Sequence, residues 1–101
     1  MWLMAMFDLP VDTREHRTNH ARFRNSLRKD GFMMLQLSVY ARYIPSEEAA
    51  EVHRKRIRRA VPEAGQVRLL AVTDRQFAKM EVYYGKKSTD PESPPPQLML
   101  F

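Results

Sequence analysis

The sequence predicts a small α+β domain, and three observations lead to that fold class. The chain has 101 residues, which is enough for one core and too short for a second independent domain. Apolar segments of strand length alternate with two longer stretches whose apolar residues recur at helical spacing. Glycine and proline residues separate these segments, as they do at turns and helix ends. We therefore expect one folded domain over residues 1–85.

The first strand and the first helix are predicted over residues 2–7 and 12–30. Residues 2–7 are all apolar, as in a strand that is covered on both faces. Asp12 followed by Glu15 resembles a capping box, and Gly31 supplies the stop after the helix. The residues expected to face the core from this helix are His16, His20, Phe23 and Leu27.

Two more strands and a second helix are predicted next. Residues 32–44 are rich in β-forming residues but too long for one strand, so we expect the chain to turn back near Leu37 and Ser38. Pro45 and Ser46 then begin a second helix. The residues expected to face the core from this helix are Ala49, Ala50, His53, Ile57 and Ala60.

The last predicted elements are a strand over residues 66–73, a single turn over residues 74–79 and a short extra strand over residues 80–84. Without the extra strand, the order is strand, helix, strand, strand, helix, strand. This is the βαββαβ order of the ferredoxin-like fold. The fold hosts many functions, so individual residues must indicate the function.

Residues 86–101 differ in composition from the rest of the chain. Proline recurs among them, which is incompatible with a sheet interior, so we expect a C-terminal tail or arm. The segment ends in four apolar residues that are candidates for binding a partner, although a tail without function is an equal alternative. These residues are Leu98, Met99, Leu100 and Phe101.

Charge and cysteine content narrow the class of function. Lysine and arginine outnumber aspartate and glutamate by 17 to 12, and residues 1–60 hold 12 of these basic and 7 of these acidic residues. Such an excess favours binding to a polyanion. The chain has no cysteine, which excludes disulfides, thiolate metal sites and cysteine nucleophiles, and fits a cytoplasmic protein. The apolar N-terminal segment is too short to span a membrane, so no membrane anchor is expected.

Asp8 is a lone carboxylate at the end of the first strand, a position that by itself favours a role in the turn that leaves the sheet. A magnesium site at Asp8 is the alternative, since magnesium needs only one or two protein carboxylates when a substrate phosphate completes its coordination. Arg14 and Arg17 begin the first helix, nearest Asp8, and with Arg42 they are candidates for phosphate contacts, although basic helix faces are usually just solvated.

His16 and His20 are four residues apart, a spacing that suits a zinc pair on one helix face. No third ligand is evident in the sequence. We therefore favour positions on the core-facing side of the helix for both histidines.

Five short segments occur in order along the chain: FDLP at 7–10, GF at 31–32, QLSVY at 36–40, TDRQF at 73–77 and QLMLF at 97–101. Together they resemble the Cas2 family, the second protein of the CRISPR adaptation module. The resemblance covers nearly the whole chain, and the C-terminal half resembles the subgroup found in type II systems. It is carried by the order and spacing of the segments, since none is specific by itself.

The resemblance implies a ferredoxin-like homodimer with a magnesium-dependent endonuclease site for RNA or DNA. It also implies a protein that joins copies of the CRISPR integrase and binds captured double-stranded DNA during spacer acquisition. Asp8 matches the family's metal-binding aspartate, and a two-fold dimer would supply a second copy of it. Ser38 matches a family serine that could position a phosphate or a water, although a serine bonded to backbone is an equal alternative.

Two other functions stay open at this point. The first is a nucleic-acid-binding scaffold without nuclease activity, since a metal site need not cleave anything. The second is a ligand-sensing regulatory domain of the same fold.

Overall fold

The structure is a computed structural model that describes residues 1–85. Its four strands form one antiparallel sheet in the order β2-β3-β1-β4. The elements are β1 (Trp2–Asp8), α1 (Arg14–Lys29), β2 (Met33–Gln36), β3 (Val39–Tyr43), α2 (Glu47–Ala60), β4 (Gln66–Val72) and α3 (Asp74–Ala78). The predicted α+β class and the βαββαβ order are confirmed.

The main core lies between one face of the sheet and the helices α1 and α2. Leu3, Ala5 and Phe7 alternate along β1 and are all buried on this face, as the period of two in a strand requires. They pack with Phe23 of α1 and Ile57 of α2 in one apolar cluster. The central position of β1 in the sheet explains why its residues form the middle of this cluster.

The opposite face of the sheet is covered at one end by α3. The ring of Phe77 stacks on Trp2, with 4.1 Å between the ring centroids. Paired positions place Leu70, Met4 and Ala41 in one row across this same face. Leu70 is 52% exposed, so the part of this face beyond α3 lacks a cover within residues 1–85.

The predicted start of α1 is wrong by one residue. Thr13, not Asp12, caps the helix: Thr13 has extended backbone angles and its hydroxyl accepts a hydrogen bond from the His16 amide. The carboxylate of Asp12 instead bonds the His16 ring. Both residue types are good caps, and the backbone angles decide between them. The predicted stop at Gly31 fits its φ of +85°.

The predicted reversal at Leu37 and Ser38 is confirmed, because these two residues connect β2 to β3. Ser38 has a φ of +63°, which a tight turn imposes on it. Ser46 caps α2 by accepting a hydrogen bond from the Ala49 amide. Of the predicted inward residues of α2, three are buried and two are half-buried; the buried ones are Ala50, His53 and Ile57, and the half-buried ones are Ala49 and Ala60.

The extra strand that was predicted over residues 80–84 is absent, since residues 80–85 are neither helix nor strand. A strand needs a hydrogen-bonded neighbour, and no strand of the described chain pairs with this segment. Its apolar side chains Met80, Val82 and Tyr83 are exposed. None of the helices within residues 1–85 is long and apolar enough to cross a membrane.

The predicted tail and its candidate partner-binding residues lie outside the described residues. This applies to the boundary between residues 85 and 86 and to Leu98, Met99, Leu100 and Phe101.

Candidate functional site

Asp8 ends the central strand β1 and its side chain is exposed. It pairs with Gln66 of β4 and shares the sheet face of Met6 and Met4, opposite the helices α1 and α2. Within residues 1–85 its carboxylate forms no hydrogen bond and no ion pair. The carboxylate is therefore free to bind a cation from solution. The turn-forming alternative would instead require a hydrogen bond between this carboxylate and the backbone.

The backbone of Asp8 is fixed from one side by Gly65, which sequence reasoning missed. Gly65 has a φ of +94°, and a Cβ atom on it would lie 2.6 Å from the carbonyl oxygen of Asp8 and 2.9 Å from the Cα atom of Leu9. Only glycine allows this close approach. The signal in the sequence is a glycine directly before a predicted strand, which marks a turn but not the element it contacts.

Ser38 lies at the same end of the sheet, on the other side of β1. Its carbonyl oxygen accepts a hydrogen bond of 3.1 Å from the amide of Phe7, the residue before Asp8. Its hydroxyl has no hydrogen-bond partner among residues 1–85. The structure thus brings Ser38 next to Asp8 and leaves its hydroxyl available, as the predicted contact with phosphate or water would need.

Arg14 and Arg17 lie at the start of α1, and both are exposed. The guanidinium of Arg17 donates a hydrogen bond of 3.3 Å to the carbonyl oxygen of Val11, only three residues after Asp8. Arg14 has no ion pair within the described part of the chain. The first turn of α1 therefore places the guanidinium of Arg17 beside the segment that leaves Asp8.

Arg42 is far from this group. It pairs with Leu3, five residues before Asp8 on β1, which is about 17 Å along a strand. On the helix-covered face its guanidinium bonds the carbonyl oxygen of Asp30, at the end of α1. There it satisfies a free helix carbonyl, which gives it a structural role.

A polar cluster that includes the buried His53 continues from Asp30. One carboxylate oxygen lies 2.6 Å from Nδ1 of His53, and the other accepts a bond of 2.7 Å from Arg56. The cluster ties α1 to α2. It explains why His53 is buried although it is polar, since buried polar groups need partners.

The two histidines considered for zinc have other partners. Nδ1 of His16 lies 2.6 Å from the carboxylate of Asp12, and this hydrogen bond lowers the pKa of Asp12 below its usual value. The ring of His20 contacts Phe7 edge to face. Within residues 1–85, no group of three or more histidine, aspartate or glutamate side chains could hold a metal ion.

A shallow depression of about 300 Å³ lies beside Asp8. Its lining residues are Met6, Phe7, Asp8, Gln66 and Arg68. Gln66 and Arg68 come from β4, and sequence reasoning missed both. Exposed polar residues at alternate positions of a strand are common on protein surfaces. Only the pairing of β4 with β1 connects Gln66 and Arg68 to Asp8.

Comparison with known proteins identifies the family. Residues 1–80 match the family described as CRISPR associated protein Cas2. The chain belongs to the Cas2 family. A protein of Parvibaculum lavamentivorans named CRISPR-associated endoribonuclease Cas2 is 52% identical over 101 residues, with all of both chains covered. A protein of the same name from Flavobacterium psychrophilum is 46% identical, covering all of this chain and 88% of that protein.

A solved structure supports the fold. The crystal structure of Streptococcus pyogenes Cas2 at pH 6.5 aligns with a TM-score of 0.62 at 17% sequence identity, covering 83% of this chain and 100% of that chain. At this identity the likeness shows the fold alone. The resemblance seen in the short sequence segments is thus confirmed at the level of the family and its fold.

Proposed function

We propose that this Cas2 family chain is a CRISPR adaptation protein with a magnesium-dependent endoribonuclease site at Asp8. The observation that carries the proposal is the exposed carboxylate of Asp8, which has no protein partner within residues 1–85. The relatives with the highest identities quoted above are named endoribonucleases, which supports RNA as the substrate.

The residues around Asp8 fit a magnesium ion that is shared with a substrate. When bound, Mg²⁺ would supply a Lewis acid and an activated water. The carboxylate of Asp8 would hold it, and substrate phosphate oxygens and waters would complete the shell. Ser38 bonds the residue before Asp8 and Arg17 bonds the segment that follows it, so both would orient the phosphate backbone.

A homodimer would supply a second Asp8, and the structure offers a surface for one. The face that carries Asp8 also exposes Leu70 and Tyr43 at 52% and 51%. Exposed apolar side chains on one sheet face are typical of protein interfaces. A two-fold axis over this face is consistent with two carboxylates in one cleft, since symmetric dimers use the same surface twice.

Cleavage of a labelled RNA in Mg²⁺ tests the proposal. Asp8→Asn keeps the shape of the side chain but removes its charge, so cleavage should fall to background. Glu48→Gln makes the same charge change at an exposed position of α2, on the other side of the sheet, and should cleave like the unchanged protein. Equal cleavage by Asp8→Asn and the control would show that Asp8 is not the nuclease site.

A second candidate function is a non-catalytic bridge that holds captured double-stranded DNA between copies of the CRISPR integrase. The exposed basic residues of α1 favour it, because within the described residues Arg14, Arg22 and Arg28 form no ion pairs. Such charges are available for phosphates. Spacer acquisition in cells separates the candidates: acquisition that survives Asp8→Asn, together with loss of RNA cleavage, would make the bridge the essential role.

Two further experiments test the proposed partners. Leu70→Lys should convert the dimer to a monomer in light scattering, because it places a charge in the exposed apolar row. A dimer that is unchanged by this substitution would exclude this face as the dimer interface.

Removal of residues 97–101 should weaken assembly with the integrase, measured by size-exclusion chromatography. Unchanged assembly would count against the predicted role of the tail.

A further inference from the structure

Among residues 1–85, the surroundings of Asp8 contain one basic side chain on its own face of the sheet. In β4, Gln66 pairs with Asp8 and Arg68 pairs with Met6. Arg68 is therefore the diagonal neighbour of Asp8. The Cα atoms of such neighbours are about 7–8 Å apart, a distance that long side chains can bridge. Val67 and Leu69 point to the other face, where they pack on the core.

The side chain of Arg68 is held away from a direct ion pair. It donates a hydrogen bond of 3.2 Å to the side-chain oxygen of Gln66. Within residues 1–85 it forms no ion pair with Asp8 or with any other carboxylate. The positive charge of Arg68 thus stays available, and the carboxylate of Asp8 is not neutralised by it.

The space between the two charges suits a phosphodiester. The depression of about 300 Å³ has both Asp8 and Arg68 among its lining residues and is open to solvent. A guanidinium presents parallel N–H donors that match two phosphate oxygens. With a cation at Asp8 on one side, Arg68 would complete a positive clamp around the phosphate that carries the scissile bond.

We propose that Arg68, oriented by Gln66, is the phosphate-binding residue of the Asp8 site. This inference rests on the proposed nuclease function for its catalytic consequence. The contact between guanidinium and phosphate itself requires no metal ion. Its removal should therefore be visible in RNA binding as well as in cleavage.

The test measures the affinity of a fluorescent single-stranded RNA by anisotropy, in EDTA and at several salt concentrations. Arg68→Gln should weaken binding roughly tenfold and should reduce the slope of log affinity against log salt by about 0.7 for each phosphate that the protein no longer neutralises. Arg59→Gln makes the same charge change on an exposed position of α2 and should leave affinity and slope unchanged. Arg68→Lys keeps the charge, so it should keep the slope.

Cleavage of the same RNA in Mg²⁺ supplies the second readout. Arg68→Gln should lower kcat/KM roughly 10- to 100-fold, and Arg68→Lys should recover only part of it, because a lysine cannot form the two-pronged contact. If Arg68→Gln matches Arg59→Gln in slope and cleavage, the inference is wrong. If Asp8→Asn cleaves normally while Arg68→Gln still reduces the slope, the proposed nuclease site is wrong and the phosphate contact stands.

Discussion

Replacement of Gly65 by alanine tests how firmly the backbone of Asp8 is held. Gly65 has a φ of +94°, and a residue with a side chain in such a conformation costs about 1–3 kcal/mol. The added Cβ would also lie 2.6 Å from the Asp8 carbonyl oxygen and 2.8 Å from Cδ2 of Leu9. Overpacking of this kind costs a further ~1–3 kcal/mol. We therefore expect Gly65→Ala to lower the free energy of unfolding by at least about 2 kcal/mol.

Thermal unfolding followed by circular dichroism measures the effect. A decrease of about 2 kcal/mol corresponds to a fall in Tm of about 8–16 °C for a domain of this size. Gly85→Ala is the matched control, because a Cβ atom on Gly85 meets no atom within 4 Å, and its Tm should stay unchanged. A Tm for Gly65→Ala equal to that of the control would refute the close approach between Gly65 and Asp8.

Two other substitutions test the contacts at the ends of α1. Arg42→Gln removes the guanidinium that bonds the carbonyl oxygen of Asp30, so it should lower the free energy of unfolding by about 1 kcal/mol. The salt dependence of RNA binding should stay unchanged. A smaller slope of log affinity against log salt would instead show that Arg42 contacts nucleic acid. His16→Ala removes the hydrogen bond that lowers the pKa of Asp12, so the pKa of Asp12 in a carbon-13 NMR titration should rise toward its ordinary value. Because the folded-state pKa of Asp12 is depressed, the stabilisation from this pair is present above the ordinary carboxyl pKa and is lost as pH falls through the depressed value. An unchanged pKa would contradict the contact between Asp12 and His16.

The main elements could be predicted from local patterns. The all-apolar segment of β1 and the helical spacing of α2 are set by which residues the core buries, so the sequence carries a direct signal for them. The start of α1 was harder, because Asp12 and Thr13 are adjacent and both favour the capping position. Which of the two residues caps the helix depends on backbone angles, and a sequence pattern does not show these angles.

The composition of the site could be predicted only in part. The order of short motifs indicates Asp8 and Ser38, and the structure places them on neighbouring chain segments. Arg68 was missed because its proximity to Asp8 depends on the pairing of β4 with β1, which joins residues about sixty positions apart. Charge alone groups Arg42 with Arg14 and Arg17, whereas the strand register places it beside Leu3, at the end of β1 far from Asp8.

Neighbouring residues hold the backbone at Asp8 on both sides, whereas the side chain of Asp8 is exposed. On one side of β1, the turn that contains Ser38 bonds the amide of Phe7, and on the other side Gly65 packs against the Asp8 carbonyl. Sites on strands with supported backbones hold their functional groups more precisely than sites on free loops. The carboxylate is left without a partner within residues 1–85, so the fold sets its position while its charge stays available to an external ligand. A carboxylate that only formed the turn would need its own hydrogen bond to the backbone, and it is this missing bond that favours a binding role for Asp8.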